Sequence, residues 1–223
     1  MNMSTSPVRA THPSPPGHRT RIKICGITRA EDALAAAQAG ADAIGLVFYP
    51  PSPRCVGVDQ ARAIVRSLPP FVSAVALFVN AEPGEVERVI DQVRPALLQF
   101  HGDESPTDCE RFGHPYLRAA RMREGLDLLD FAQRFSTSQA LLLDAFVPEY
   151  GGAGEVFDWS RIPANVAHPL VLSGGLHAAN VTQAIARVRP WGVDVSSGVE
   201  ASRGIKSARR IAEFISAVRA ADR

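Results

Sequence analysis

The strongest constraint in this chain is a repeat: a short apolar run, then an amphipathic stretch, over and over. Eight such runs occur, at 22–25 (IKIC), 43–48 (AIGLVF), 72–79 (VSAVALFV), 96–100 (ALLQF), 116–120 (YLRAA), 140–144 (ALLLD), 169–173 (PLVLS) and 191–195 (WGVDV). Near-continuous apolar strands are typical of a parallel sheet covered on both faces by helices. The stretches between them carry helical spacing. Val58, Ala61, Ile64, Val65 and Leu68 share one face, as do Val86, Val89, Ile90 and Val93. Val181, Ala184, Ile185 and Val188 repeat it, and so do Ile211, Phe214, Ile215 and Val218. Thr28 with Glu31 predicts a capping box, and Gly40 closes that helix. Ser105 before Pro106 predicts an N-cap with proline at the first helical position. The segment between Asp144 and Pro169 is less regular, with one short helix candidate at 158–162.

Eight βα units of about 25 residues each match the compact end of the (β/α)₈ TIM barrel. The competing doubly wound open sheet often has only about five or six strands. No linker divides the chain, so the barrel is expected to occupy residues 21–223 as one domain. Residues 1–20, rich in Pro, Ser and Thr and without an apolar run, are expected to be a disordered tail rather than a secretory signal.

The 223 residues are 46% hydrophobic, enough for a full core. A net charge of +1 gives no sign of a nucleic-acid or membrane partner. No run approaches the ~18 apolar residues of a membrane span. The three cysteines, Cys25, Cys55 and Cys109, lie far apart, which argues against a disulfide framework and fits a reducing cytoplasm. No His, Cys or carboxylate cluster has metal-ligand spacing.

In a parallel barrel the active site lies at the C-terminal ends of the strands. The first run ends in Cys25, followed by Gly26, and the sixth in Asp144. A thiolate and a carboxylic acid facing each other across the mouth make an acid–base pair, each typically contributing ~10²–10⁴-fold in rate. The residues alone leave Cys25 open between that role and a packed core thiol. The last two runs end in "LSGGL" (172–176) and "DVSSGVE" (194–200). Their glycines let backbone N–H groups approach an anion, and these two loops form the usual phosphate site of the fold. A small phosphorylated substrate is therefore expected.

The blocks "KICGIT", "GLVFYPPSPR", "ALFVN", "LLQFHGDE", "LLLDA", "GGAGEVFDW", "LSGGL" and "VDVSSGVE" resemble, in order, those of the phosphoribosylanthranilate isomerase family, over residues 22 to about 218. The resemblance implies an Amadori rearrangement without a cofactor, the third step from chorismate in tryptophan biosynthesis. It implies that Cys25 is the general base and Asp144 the general acid. It assigns Arg54 to the substrate carboxylate, and Gly174, Gly175, Ser196, Ser197 and Gly198 to the phosphate. His101, Asp194 and Gly154 are possible pocket residues. The resemblance is compatible with a monomer or a homodimer. Cys55, Ala153 and Phe100 depart from the family pattern and leave the fine geometry of the pocket open, and "ASRGIKS" replaces a Pro-Gly-Lys-Lys-like segment. The runners-up are a histidine-pathway sugar-phosphate isomerase, which carries Asp rather than Cys on the first strand, and a non-catalytic barrel.

Overall fold

The computed structural model describes residues 19–145 and 157–223. Eight parallel strands close into a barrel in chain order. They are β1 (Arg21–Ile24), β2 (Ala43–Val47), β3 (Ser73–Phe78), β4 (Leu97–Phe100), β5 (Tyr116–Met122), β6 (Ala140–Ala145), β7 (Leu170–Leu172) and β8 (Gly192–Val195). The ring shuts where β8 pairs with β1, placing Lys23 opposite Asp194. All eight expected strands are present, with ends moved by a residue or two. Between them run α1 (Ala30–Ala39), α2 (Val58–Ser67), α3 (Pro83–Val93), α4 (Pro106–Glu110), α5 (Leu128–Arg134), α6 (Val181–Val188) and α7 (Ala208–Ala221). Among its described residues, the irregular segment before β7 carries a 3₁₀ turn, Trp159–Arg161, capped by Asp158. Among the described residues no helix is long and apolar enough to cross a membrane.

The helices bury the faces that their spacing predicts. In α6, Val181, Ala184, Ile185 and Val188 are all buried, and in α7 Ile211, Phe214, Ile215 and Val218 are. Each such large side chain contributes roughly 1.5–3 kcal/mol by leaving water. Under the helices, Phe48, Phe78, Phe100 and Tyr116 pack ring to ring, with centroids 5.5, 6.2 and 5.9 Å apart in turn. Phe100 thus lies in the layer outside the barrel, while its neighbours Gln99 and His101 share the opposite face of the chain. Its bulk therefore fills the helix-facing layer rather than the barrel interior.

The caps divide. Ser105 caps α4 in a full capping box with Asp108, and Gly40 closes α1 at φ 102°. The Thr28 capping box does not form. The Thr28 hydroxyl donates instead to the Gly204 carbonyl at 2.6 Å, and α1 begins one residue later, with Arg29 at its N-cap. Gly204 belongs to a two-stranded hairpin that the apolar pattern does not reveal, β9 (Glu200–Ser202) and β10 (Ile205–Lys206). The segment that leads into β1 is clasped to the end of α7: Asp222 accepts from the Thr20 N–H at 3.0 Å and its hydroxyl at 2.6 Å.

Candidate active site

Successive side chains on a strand alternate faces, so Lys23 and Cys25 share one face of the β1 segment and both turn into the barrel. The Cys25 N–H bonds the Val195 carbonyl at 2.8 Å, which carries the β1–β8 ladder to the mouth. Gly26 follows at φ 72°, a conformation that favours glycine. Its missing side chain matters as much: a Cβ there would run into the Arg54 side chain and the Ser196 hydroxyl. Glycine thus lets the loops after β2 and β8 close over the thiol.

Arg54 is buried and bound in a fork by Glu200, with Nε–Oε1 at 2.7 Å and Nη2–Oε2 at 2.9 Å. Glu200 also accepts from Lys206 Nζ at 3.0 Å, and Lys206 reaches the Ser196 carbonyl at 3.1 Å. Burial works against the Glu200 charge, but the Arg54 and Lys206 hydrogen bonds and charges prevail and hold its carboxyl below the usual range. One buried carboxylate therefore ties the β2–α2 loop, the β8 loop and the hairpin together.

Asp144 closes β6 on the other wall. Its Oδ1 accepts the Ala145 N–H at 2.9 Å, and its Oδ2 lies 3.0 Å from His101 Nε2. Gln99 Nε2 lies 3.1 Å from His101 Nδ1, so a chain of three polar side chains runs from inside β4 to the carboxyl group. His101 is thus in contact with the candidate acid and is more than a residue lining the pocket.

The glycine loops converge. Gly174 and Gly175 both have positive φ, 79° and 61°. Gly174 presses on the Ala145 N–H and Asp144 Oδ1, where a Cβ would come within 2.7 and 3.0 Å. A Cβ on Gly198 would meet the Leu176 carbonyl, so the two loops touch. Ser196 and Ser197 stand in the second loop beside Gly198, half-buried. Gly154 and Ala153 lie outside the described residues.

Asp194 is not at the rim. It sits inside the barrel, bonded to Lys23 Nζ at 2.7 Å and to the Ser173 hydroxyl at 3.2 Å. Burial pushes the Cys25 thiol above its usual value; Lys23 pulls the other way, Asp194 adds to the rise, and Lys206 opposes it. Lys23, Glu200, Lys206 and Ser173 were not among the sequence candidates. Lys23 alone carried a local signal, its spacing of two from Cys25. Beside the thiol, Val47, Leu77, Val79 and partly buried Tyr49 form an apolar wall separate from the main core. Cys55 is half-buried in the loop after β2, in a bridge to Val47. Cys109 is fully buried on α4, its thiol pushed up to about 12 chiefly by burial.

The sequence profile of the N-(5'phosphoribosyl)anthranilate (PRA) isomerase family matches residues 22–217. The chain belongs to this family. It is 60% identical to the N-(5'-phosphoribosyl)anthranilate isomerase of Methylibium petroleiphilum over 204 residues, covering 92% of this chain and 96% of that one. Among solved structures, it is similar to a phosphoribosyl anthranilate isomerase in complex with reduced 1-(o-carboxyphenylamino)-1-deoxyribulose 5-phosphate. The TM-score there is 0.80 at 40% identity, over 90% of this chain and 99% of that one. It is also similar to a structure described as monomers of the dimeric phosphoribosylanthranilate isomerase from Thermotoga maritima, with a TM-score of 0.78 at 38% identity over 90% of this chain and 99% of that one. Family membership sets aside the histidine-pathway and non-catalytic readings.

Proposed function

We propose that Cys25 and Asp144 are the general base and general acid with which this isomerase converts N-(5'-phosphoribosyl)anthranilate to 1-(2-carboxyphenylamino)-1-deoxyribulose 5-phosphate, in tryptophan biosynthesis. The observation that carries the assignment is the arrangement of the mouth. A thiol just after β1 and a carboxyl group on β6 both stand at the C-terminal ends of barrel strands, and two touching glycine loops follow β7 and β8 at the same end. The substrate's chemistry fits these parts. Its phosphate takes the backbone N–H groups around Gly174, Gly175, Ser196, Ser197 and Gly198. Its anthranilate ring lies along Val47, Leu77 and Tyr49, beside Cys25. Glu200 occupies two of the Arg54 nitrogens, and the third, Nη1, faces the anthranilate carboxylate.

The steps then balance. Asp144 gives its proton to the ribose ring oxygen, the C1–O bond breaks, and the anthranilate nitrogen becomes a protonated Schiff base. That cationic nitrogen acidifies the C2 hydrogen. The Cys25 thiolate takes the proton, and the C–H electrons form the C1=C2 bond of an enolamine. Loss of the C2 hydroxyl proton and gain of one at C1 give the ketose. His101, held by Gln99, orients the Asp144 carboxyl group between these events. The reducing cytoplasm keeps all three cysteines as thiols, as the base role requires.

We also favour the homodimer over the monomer. Phe71, between Pro70 and Val72 in the α2–β3 loop, is wholly exposed and is held at φ 71°. Such an aromatic residue is buried at low entropic cost by a second copy. Sedimentation of the wild type and Phe71→Glu decides this, a dimer that dissociates being the expected result.

The catalytic test is turnover of phosphoribosylanthranilate generated in situ, followed by its fluorescence. Cys25→Ala and Asp144→Asn should each lose roughly 10²–10⁴-fold in kcat while remaining folded. Equal turnover by Cys25→Ala and wild type would make the thiol a packing residue.

A further inference from the structure

We propose that Lys23 is a positioning residue for Cys25: its buried ammonium, held from the far side by Asp194, faces the sulfur and stabilises it as a thiolate. The inference rests on the reading of Cys25 as the general base. The geometry comes from three strands. On β1, Lys23 and Cys25 are two residues apart and point the same way. On β8, Asp194 stands directly opposite Lys23 and takes its Nζ at 2.7 Å, while Ser173, just after β7, donates to the other Asp194 oxygen. On β2, Gly45 leaves a gap that both groups flank: a Cβ there would lie 2.7 Å from Cys25 Sγ and 3.1 Å from Lys23 Nζ. The sulfur and the ammonium therefore meet in one space inside the barrel, with side-chain exposure of Lys23 and Asp194 both only 6%.

A lysine in such a place needs a reason. Burying an ammonium and a carboxylate strips both of their water, and a well-packed apolar pair of similar volume is often as stable. The mouth above needs a thiolate, which burial alone disfavours. Four charged groups bear on Cys25: Lys23 and Asp194 below it, Lys206 from β10, and Arg54 from the β2–α2 loop. Arg54 and Lys206 already share Glu200. Lys23 is the cation that acts most strongly on the thiol, more strongly than Asp194 opposes it. Asp194 keeps Lys23 protonated in spite of burial, so Lys23 retains its three protons through the cycle and accepts none from the substrate.

The test is a thiolate titration of the full chain by ultraviolet absorbance, each protein read against the same protein carrying Cys25→Ser, which removes the signal of Cys55 and Cys109. Lys23→Met should raise the Cys25 inflection by about one pH unit or more, a tenfold loss of thiolate at fixed pH. Because Lys23→Met strands an ionised Asp194, the double variant Lys23→Met/Asp194→Asn, which leaves no unpaired charge, is measured too. Its inflection should still lie above wild type, since Lys23 outweighs Asp194. In turnover, Lys23→Met should lower kcat with KM little changed, and Lys23→Arg should recover part of it. A folded double variant whose inflection matches wild type overturns the proposal. Failure of the underlying reading shows separately, as undiminished turnover by Cys25→Ser.

Discussion

Gly45→Ala tests the architecture of the site with a single methyl group. Gly45 lies mid-strand in β2, where a glycine weakens a strand unless something approaches closely. Here the added Cβ would stand 2.7 Å from Cys25 Sγ, 3.1 Å from the Cys25 Cα and 3.1 Å from Lys23 Nζ. Ordinary contact begins near 3.5 Å, so the sulfur has to move by roughly 1 Å. The backbone contact to Cα limits relief by strand separation, because β1 and β2 are held in register at Lys23–Ala43 and Ile24–Ile44. Overpacking of this kind costs about 1–3 kcal/mol, and each kcal/mol lowers Tm by about 2–4 °C in a chain of this size. A ~1 Å displacement of a reacting group costs up to about 10²-fold in rate. The expected result is a Tm lower by several degrees and kcat lower by roughly 10²-fold, read by the same fluorescence assay below the melting range. Gly84→Ala is the control. Gly84 lies in the first turn of α3 with nothing within 4 Å of its Cβ position, so a gain of up to ~1 kcal/mol and full activity are expected. Full activity in a folded Gly45→Ala would refute the reasoning: the position of the sulfur would then not matter to the reaction.

Glu200→Gln should destabilise the fold by about 3–5 kcal/mol in denaturant melts, because it leaves Arg54 and Lys206 buried beside a neutral partner, and should raise KM through a loosened Arg54. The same pair of proteins gives a pH test. Glu200 ionises more readily folded than unfolded, so its contribution is present above the ordinary carboxylate value of about 4.3 and is lost as pH falls through its lower folded value. The stability gap between wild type and Glu200→Gln should therefore narrow in acid; a constant gap from neutral pH down to about pH 3 would contradict it. Ser105→Ala removes the α4 cap and should cost about 1 kcal/mol without changing kcat. Asp222→Ala opens the clasp on Thr20 and should cost more than an ordinary surface substitution, beyond about 0.5 kcal/mol, in the same melts.

How much of this was legible depends on how far along the chain each interaction reaches. The strands were legible because a buried parallel strand has to be apolar on both faces. Their order made Cys25 and Asp144 neighbours of one mouth, since every strand of a parallel barrel delivers its C-terminal end to the same side. The two glycine loops after β7 and β8 were legible for a related reason: glycine marks close backbone approach within a few residues. What failed were pairings with no local mark. Thr28 looks like a cap until Gly204, far along the chain, claims its hydroxyl. Arg54 looks like a free loop cation until Glu200 takes two of its nitrogens. Asp194 looks like part of a rim loop because it precedes two serines, yet alternation along β8 sends it inward to Lys23. The same alternation settles where Phe100 points, since it places that ring opposite Gln99 and His101. Three of the side chains that bear on the proposed base and acid, Lys23, His101 and Arg54, are polar and buried. A buried polar group must find a partner, and the barrel supplies it from another strand or loop rather than from the adjoining sequence. The chemistry of the site was therefore readable one strand at a time, whereas its electrostatics exist only once the ring has closed.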